Sequence, residues 1–211
     1  MGKFSWFGNL ALTLDQKLGE DDKRTHISNK RDFQTVHSFR NEIAAIGIGS
    51  STVLIDNPSL RTKQEYLFTP VTSHIVPIIF DRRGRMPPSA RVVTTFPDRP
   101  VLWVTNSKNK ELPANIRKIP YVDIQVVKNT IEDVLDSLHR QGPIMIEGGM
   151  RLMKSLIDTG ILRRLRIFIS SELLPDASNH LDLPNGFKYQ LLGSSQLASG
   201  LERVFAIHPC E

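Results

Sequence analysis

The sequence predicts an α/β domain built on a mostly parallel central sheet flanked by helices. Three observations predict it. Apolar segments of strand length recur along the chain, and several are β-branched and continuous, as in strands covered on both faces. Segments with helical periodicity or cap signals fall between them. The tail differs: residues 187–192 and 202–207, joined by a Gly/Ser-rich stretch, read as a closing antiparallel hairpin.

The first strand is expected within residues 4–14. Lys3 ahead of this apolar run faintly resembles a secretory leader. Ser5, Gly8, Asn9 and Thr13 interrupt the run, however, and Asp15-Gln16-Lys17 follows where a small-residue cleavage site would stand. A helix is expected from about Lys30 to Glu42, capped by Ser28 or Asn29, with Phe33, Val36 and Phe39 on its apolar side. Strands are expected at 44–48, 75–80, 101–104 and 122–127, with an irregular crossover at 82–89 that holds Gly84, Pro87 and Pro88. Thr130-Ile131-Glu132-Asp133 reads as a capping-box-like helix start, with Asp where Glu or Gln is usual. Ile131, Val134, Leu135 and Leu138 then supply the apolar stripe, and Gly142 the stop. A strand at 144–146, a helix at 151–159 ended by Gly160, a strand at 165–170, a loop at 175–184 and a strand at 203–207 complete the series. No linker divides the chain, so one domain over 1–211 is expected.

Composition narrows the class. Of 211 residues, 40% are hydrophobic and 23% charged, which excludes a disordered or fibrous chain. The single cysteine, Cys210, excludes an internal disulfide and a cysteine-based zinc site, and points to a reducing compartment, the cytoplasm. No run approaches the ~20 apolar residues of a membrane helix. A net charge of +5 suits anionic partners such as nucleic acid, an acidic membrane surface or a phosphorylated small molecule. It equally suits a domain with surplus Lys and Arg, so charge alone decides nothing. The cations are spread along the chain and both tryptophans, Trp6 and Trp103, lie in apolar strands, which counts against a nucleic-acid-binding module.

Two strand-to-glycine junctions stand out. Ala44-Ala-Ile-Gly-Ile-Gly49-Ser-Ser-Thr52 is either a tight structural turn or a place of close backbone approach to a ligand. It lacks the third glycine of a dinucleotide-binding fingerprint. Ile144-Met-Ile-Glu147-Gly148-Gly149 opens a helix, where free amides and the helix dipole favour an anion. Arg151 and Lys154 place cations in that first turn, where they are intrinsically unfavourable. That misfit is relieved by a bound anion, or the cations are simply solvated. Glu147 ends an apolar strand at the sheet edge where α/β ligands bind, and is either a site carboxylate or a cap. The six histidines show no metal spacing, and neither a nucleophile elbow nor a Walker loop is present.

Five motifs stand in order along the chain. They are Thr13-Leu-Asp15-Gln16-Lys17; Ser28 with His37-Ser-Phe-Arg40; Thr52, Asp56, Pro58 and Leu60; Asp81 through Pro88; and Glu147-Gly148-Gly149, with Leu173-Leu174 after the next strand. Over roughly residues 9–175 this series resembles the stand-alone pyrimidine reductases of riboflavin biosynthesis, which have the dihydrofolate-reductase-like fold. The chain departs from that pattern at Gln16 (for Gly), Ala44 and Asn57 (for Asp), Lys63 (for Arg), and at Arg163 and Arg164, where acidic residues are usual.

The resemblance implies a cofactor, NADPH with NADH as the second candidate, held by Thr52 and Asp56 with Ala11, His26, Ser28 and Gly49. It implies a pyrophosphate site at Gly148, Gly149, Met150, Arg151 and Leu152, and a 2′-phosphate reader in Arg82 with Arg83 and Arg85. Arg40, Leu60 and Lys63 would hold the ribose phosphate of a pyrimidine nucleotide-like substrate, and Glu147 its sugar or base. Asp32 is either a partner for a 2-amino edge or a first-turn acid favoured by the dipole. The implied reaction adds a hydride to the anomeric carbon of a ring-opened ribosylamino imine, giving a ribitylamino chain. Asp15, Lys17 and Glu147 are the candidates for ring opening or proton delivery; Asp15 and Lys17 are equally readable as a surface ion pair. A homodimer without metal, nucleic acid or membrane is implied, with no zinc deaminase preceding the reductase. A pterin-type reductase, a catalytically degenerate paralogue and a basic binding module are the competing readings.

Overall fold

A computed structural model describes residues 3–19, 30–71, 75–108, 112–197 and 199–210. The first half holds β1 (Trp6–Leu12), β2 (Lys17–Gly19), α1 (Lys30–Glu42), β3 (Ala45–Gly49), α2 (Ser50–Asp56), β4 (Val76–Phe80), α3 (Arg91–Thr94) and β5 (Val101–Val104). The second half holds β6 (Ile116–Ile119), α4 (Ile124–Ser137), β7 (Ile144–Glu147), α5 (Met150–Asp158), β8 (Arg164–Ser170), β9 (Asn179–His180), β10 (Phe187–Leu197) and β11 (Gly200–Pro209).

Among the described residues nine strands form one sheet, ordered β10-β11-β8-β1-β7-β3-β4-β5-β6. The seven strands from β8 to β6 pair in parallel. β11 joins β8 antiparallel, and β10 joins β11 as the expected hairpin. The Gly/Ser-rich stretch is itself strand: β10 runs on to Leu197, with a register irregularity between Leu191 and Gly193. One sheet face packs Leu10, Ile78, Leu102 and Ile146 against Ile131 and Leu135 of α4 and Leu156 of α5. The other packs Ile46, Ile48, Ile79 and Trp103 against Val53 of α2 and Val92 and Val93 of α3. Layers on both faces are what continuous apolar parallel strands require.

One expected strand is wrong. Residues 122–127 are not extended; α4 begins at Ile124, where Asp123 accepts the N–H of Gln125 at 2.8 Å and of Val126 at 3.4 Å. Val122 and Val126 are exposed, whereas Ile124, Val127, Ile131 and Leu135 are buried in helical register. The 3.6-residue stripe overrode β-branched propensity. The missing strand is β6, whose Arg117 and Lys118 face solvent at the sheet edge. Thr130 lies inside the helix, donating its hydroxyl to the Val126 carbonyl at 2.9 Å. The helix ends before Gly142, through His139 in the left-handed region at φ 54°.

The parallel strands end together, at Leu12, Gly49, Phe80, Val104, Ile119, Glu147 and Ser170. Ligands of open parallel sheets bind at that edge.

Candidate functional site

The two glycine junctions meet. Gly148 has φ +157°, at the margin of what a side chain tolerates, and a Cβ there would lie 3.5 Å from the Gly49 amide and 3.8 Å from Thr52 Oγ1. A Cβ on Gly49 or on Gly149 would meet nothing within 4 Å. Open space therefore fronts the starts of α2 and α5, and neither cap residue supplies a side-chain hydrogen bond. First-turn amides of the nine-residue α5 face that space with the favourable end of its dipole, an arrangement that accepts a diphosphate. Met150 and Leu152 pack against the core, so they can serve such an anion only through their backbone. Arg151 is exposed beside them. Lys154 departs from expectation: α5 begins at Met150, so Lys154 stands past the first turn, and its ammonium pairs with Asp182 at 2.7 Å. Ala11 is half-buried in β1, opposite Phe168. Asp56 closes α2; Asn57 follows at φ 40° and accepts the Arg91 N–H at 2.8 Å. The amide at 57, where an acid is usual, therefore caps the next helix.

The β4 end is ordered by buried Asp81, which accepts the Met86 N–H at 2.8 Å and the Trp103 Nε1–H at 3.2 Å. Arg82 is exposed, its guanidinium 5.3 Å from the Tyr121 ring. Arg83 is exposed too. Arg85 does not stand with them, since it donates to Ser50 Oγ at 2.7 Å, at the start of α2.

Glu147 ends a polar chain that crosses four neighbouring strands. Arg40 on α1 donates to its Oε2 at 2.7 Å, and Asn9 Nδ2 to its Oε1 at 3.3 Å. Arg166 on β8 donates to Asn9 Oδ1 at 2.7 Å and pairs with Glu202 on β11. An arginine only donates, so it fixes which end of the Asn9 amide faces Glu147. Arg166 also lies 4.8 Å from the Phe39 ring, under α1. Arg40 keeps a buried Nε with no hydrogen-bond partner.

Leu60 and Lys63 stand on the irregular segment after α2. Leu60 is buried with φ 47°. The Lys63 ammonium is 3.4 Å from Glu65 and 5.2 Å from the Tyr66 ring. The Lys63 backbone N–H donates to His37 Nδ1 at 3.2 Å, and His37 stacks on Tyr66. Burial, with the charges of Arg40, Lys63 and Arg61, lowers His37 to about 3, so its ring is neutral and accepts. Arg61, Lys63, Phe96 and Arg99 line a cleft of about 260 Å³.

Asp15 is engaged away from this group. Its carboxylate accepts the Thr13 hydroxyl at 2.6 Å and the Leu174 N–H at 3.2 Å, contacts that hold its pKa below the ordinary value. An ionised, loop-closing carboxylate is a poor proton donor. Lys17 begins β2, opposite His180 of β9. His26 and Ser28 lie outside the described residues, and so does the side chain of Asp32, which falls on α1.

The family model described as the RibD C-terminal domain matches residues 7–201. The chain belongs to the RibD C-terminal domain family. A Methanothermobacter thermautotrophicus protein, 2,5-diamino-6-ribosylamino-4(3H)-pyrimidinone 5′-phosphate reductase, is 31% identical over 165 residues, covering 77% of this chain and 75% of that one. The Archaeoglobus fulgidus protein of the same name is 29% identical over 171 residues, covering 77% and 78%. Among solved structures, the riboflavin biosynthesis reductase of Saccharomyces cerevisiae superposes with a TM-score of 0.72 at 20% identity, covering 97% of this chain and 90% of that one. Acinetobacter baumannii RibD gives 0.81 at 18% identity; there the alignment covers 97% of this chain and only 58% of the longer protein. The sheet is of the dihydrofolate-reductase type: the Enterococcus faecalis dihydrofolate reductase complexed with NADP(H) superposes at 0.53, 11% identical, covering 97% and 96%.

This RibD-type domain brings to the candidate site residues that the sequence pattern does not single out. Asn9, Arg166, Glu202 and Arg99 belong to no recognised motif. Asn9 and Arg166 carry one signal, polarity that interrupts otherwise apolar strands; Arg99, in the loop before β5, carries none. Gln16, by contrast, was recognised as a departure, and it adopts φ 62°, the left-handed backbone that a glycine would take. Gln16→Gly is expected to stabilise the domain by about 0.5–1 kcal/mol, raising Tm by roughly 2 °C. Calorimetric melting checks this, and an unchanged or lower Tm contradicts it.

Proposed function

We propose that this chain reduces the ribosylamino side chain of a pyrimidine nucleotide-like 5′-phosphate to ribitylamino, with NADPH as cofactor, as a step of riboflavin biosynthesis. The observation that carries this reading is the open cradle between Gly49, Gly148 and Gly149, directly followed by the Arg40–Glu147 pair on the same sheet edge. The cradle fits a dinucleotide diphosphate, and the pair begins a polar wall fit for a sugar phosphate or a base.

When bound, the reduced nicotinamide supplies the hydride that adds to the anomeric carbon of the opened imine. The residues of the chain position and balance charge. Thr52 and Asp56 hold the cofactor beside the cradle, and the α5 amides with Arg151 hold its diphosphate. Exposed Arg82 and Arg83 read the 2′-phosphate. Arg40, held by Glu147 through one nitrogen, supplies the first cation for the substrate phosphate. Lys63 adds the second cation for the phosphate. Lys17 is left as the candidate proton source, since Asp15 is engaged in its loop and Glu147 is ion-paired with Arg40, where it orients rather than donates. The domain acts in the cytoplasm as a homodimer, and β10 offers an exposed edge with Leu191 and Leu192 bare; sedimentation at several concentrations tests that assembly.

Calorimetric titration with NADPH and NADH, followed by turnover on the diamino and the deaminated substrates, tests the reading. Binding of neither nucleotide rejects it. Arg82→Ala is expected to weaken NADPH binding about tenfold, roughly 1.4 kcal/mol, and NADH binding less than about twofold. Equal losses for both would remove Arg82 from the 2′-phosphate.

A further inference from the structure

The segment carrying Leu60 and Lys63 has little regular structure and an uncomfortable backbone. Asn57 and Leu60 both lie in the left-handed region, at φ 40° and 47°. For a residue such as leucine that region costs roughly 1–2 kcal/mol, so something outside the segment must hold it there. Arg99 does so. It is 7% exposed, and its guanidinium spans three carbonyls: Leu60 O from Nη1 at 2.7 Å, and Ser59 O and Val92 O from Nη2 at 2.7 and 3.0 Å. The Phe96 ring lies 5.0 Å from its centre. Among the described residues no carboxylate pairs with this buried cation. Burial lowers it to about 10, which leaves it charged at neutral pH. Desolvating a cation without a counter-ion is costly, and here the hydrogen-bonded compensation comes from three charge-assisted bonds to backbone, two of them on the strained segment, while Nε stays buried without a partner. Only the planar fork of arginine can grip adjacent carbonyls in this way.

We propose that Arg99 is a positioning residue for substrate binding: by gripping Ser59 and Leu60 it holds the left-handed turn that sets where Leu60 and Lys63 stand. The proposal rests on the reading that Leu60 and Lys63 face the substrate. It assigns a binding role to a residue that need not touch the ligand.

The test compares Arg99→Lys and Arg99→Gln with Lys63→Ala in the full chain. Arg99→Lys keeps the charge and loses the fork. It is expected to raise the substrate KM about tenfold, to leave the NADPH Kd within about twofold, and to speed amide exchange across 59–66. Arg99→Gln, which retains a short donor, should likewise raise KM and speed exchange across 59–66, with the NADPH Kd again within about twofold. Both are assayed below their melting temperatures. A lower Tm with unchanged KM makes Arg99 a structural residue only and overturns the proposal. So does a raised KM in Lys63→Ala with no change in either Arg99 variant. If Lys63→Ala itself leaves KM unchanged, the substrate-facing reading of the segment fails, and the proposal falls with it.

Discussion

Glu147→Ala is expected to lower kcat/KM at least a hundredfold, about 2.7 kcal/mol, with the protein still folded. The carboxylate ties α1 to β7 through Arg40 at 2.7 Å, and the two side chains are 16% and 20% exposed, so the pair is only partly screened by water. Truncation would leave Arg40 with its guanidinium half-buried and without its carboxylate. It would also free the Asn9 amide, whose orientation Arg166 has fixed toward Glu147. A destabilisation of about 1–2 kcal/mol should accompany the loss of activity. Glu147→Gln, which keeps an acceptor without the charge, should fall between wild type and Glu147→Ala. A double-mutant cycle with Arg40→Ala should return a coupling of about 1–3 kcal/mol, because either truncation alone disables the pair. Steady-state kinetics with thermal melting decides it. A Glu147→Ala variant with near wild-type kcat/KM would remove Glu147 from the site.

The second large effect is on stability against pH. His37 is 3% exposed, accepts the Lys63 N–H, and has its pKa lowered from 6.5 to about 3, chiefly by burial and then by Arg40, Lys63 and Arg61. Below pH 6.5 the unfolded chain takes up a proton that the folded chain refuses. Stability contributed by the neutral ring is thus complete above pH 6.5 and drains away as pH falls toward 3. The slope is at most about 1.4 kcal/mol per pH unit, so roughly 2 kcal/mol is lost by pH 5. His37→Gln retains an acceptor and cannot titrate. Its urea midpoint should be lower than wild type at pH 7 and should change less between pH 7 and 5. Parallel declines in the two proteins would show that other groups carry the acid sensitivity.

Much of the architecture was legible because the parallel strands are continuous apolar runs and the glycine stops are strong. The helix expected from about Lys30 to Glu42 matches α1, and both glycine junctions lie where the pattern places them. The region from 116 to 130 was not legible. A β-branched run concealed a helical stripe, and β6 is an edge strand whose Arg117 and Lys118 erase the apolar signal. Helix α2 escaped because seven residues without a side-chain cap leave little trace in sequence. At the site, motif residues could be named but their engagement could not. That Lys154 answers Asp182, that Arg85 turns to Ser50, and that Asp15 closes a loop onto Leu174 are long-range facts, decided by which strand ends lie side by side.

The link from Arg166 to Glu202 bears on how the domain is made. During synthesis β8 is complete roughly thirty residues before β11 begins, and one edge of β8 is destined for β11 alone. Until β11 docks, that edge is open to wrong partners and Arg166 lacks its counter-charge, so the polar chain ending at Glu147 is unanchored. The proposed cofactor cradle is assembled from β3, β7 and their helices, all translated earlier. Nucleotide binding can therefore mature before the substrate wall does, and a chain shortened within β11 should retain more of the first than of the second.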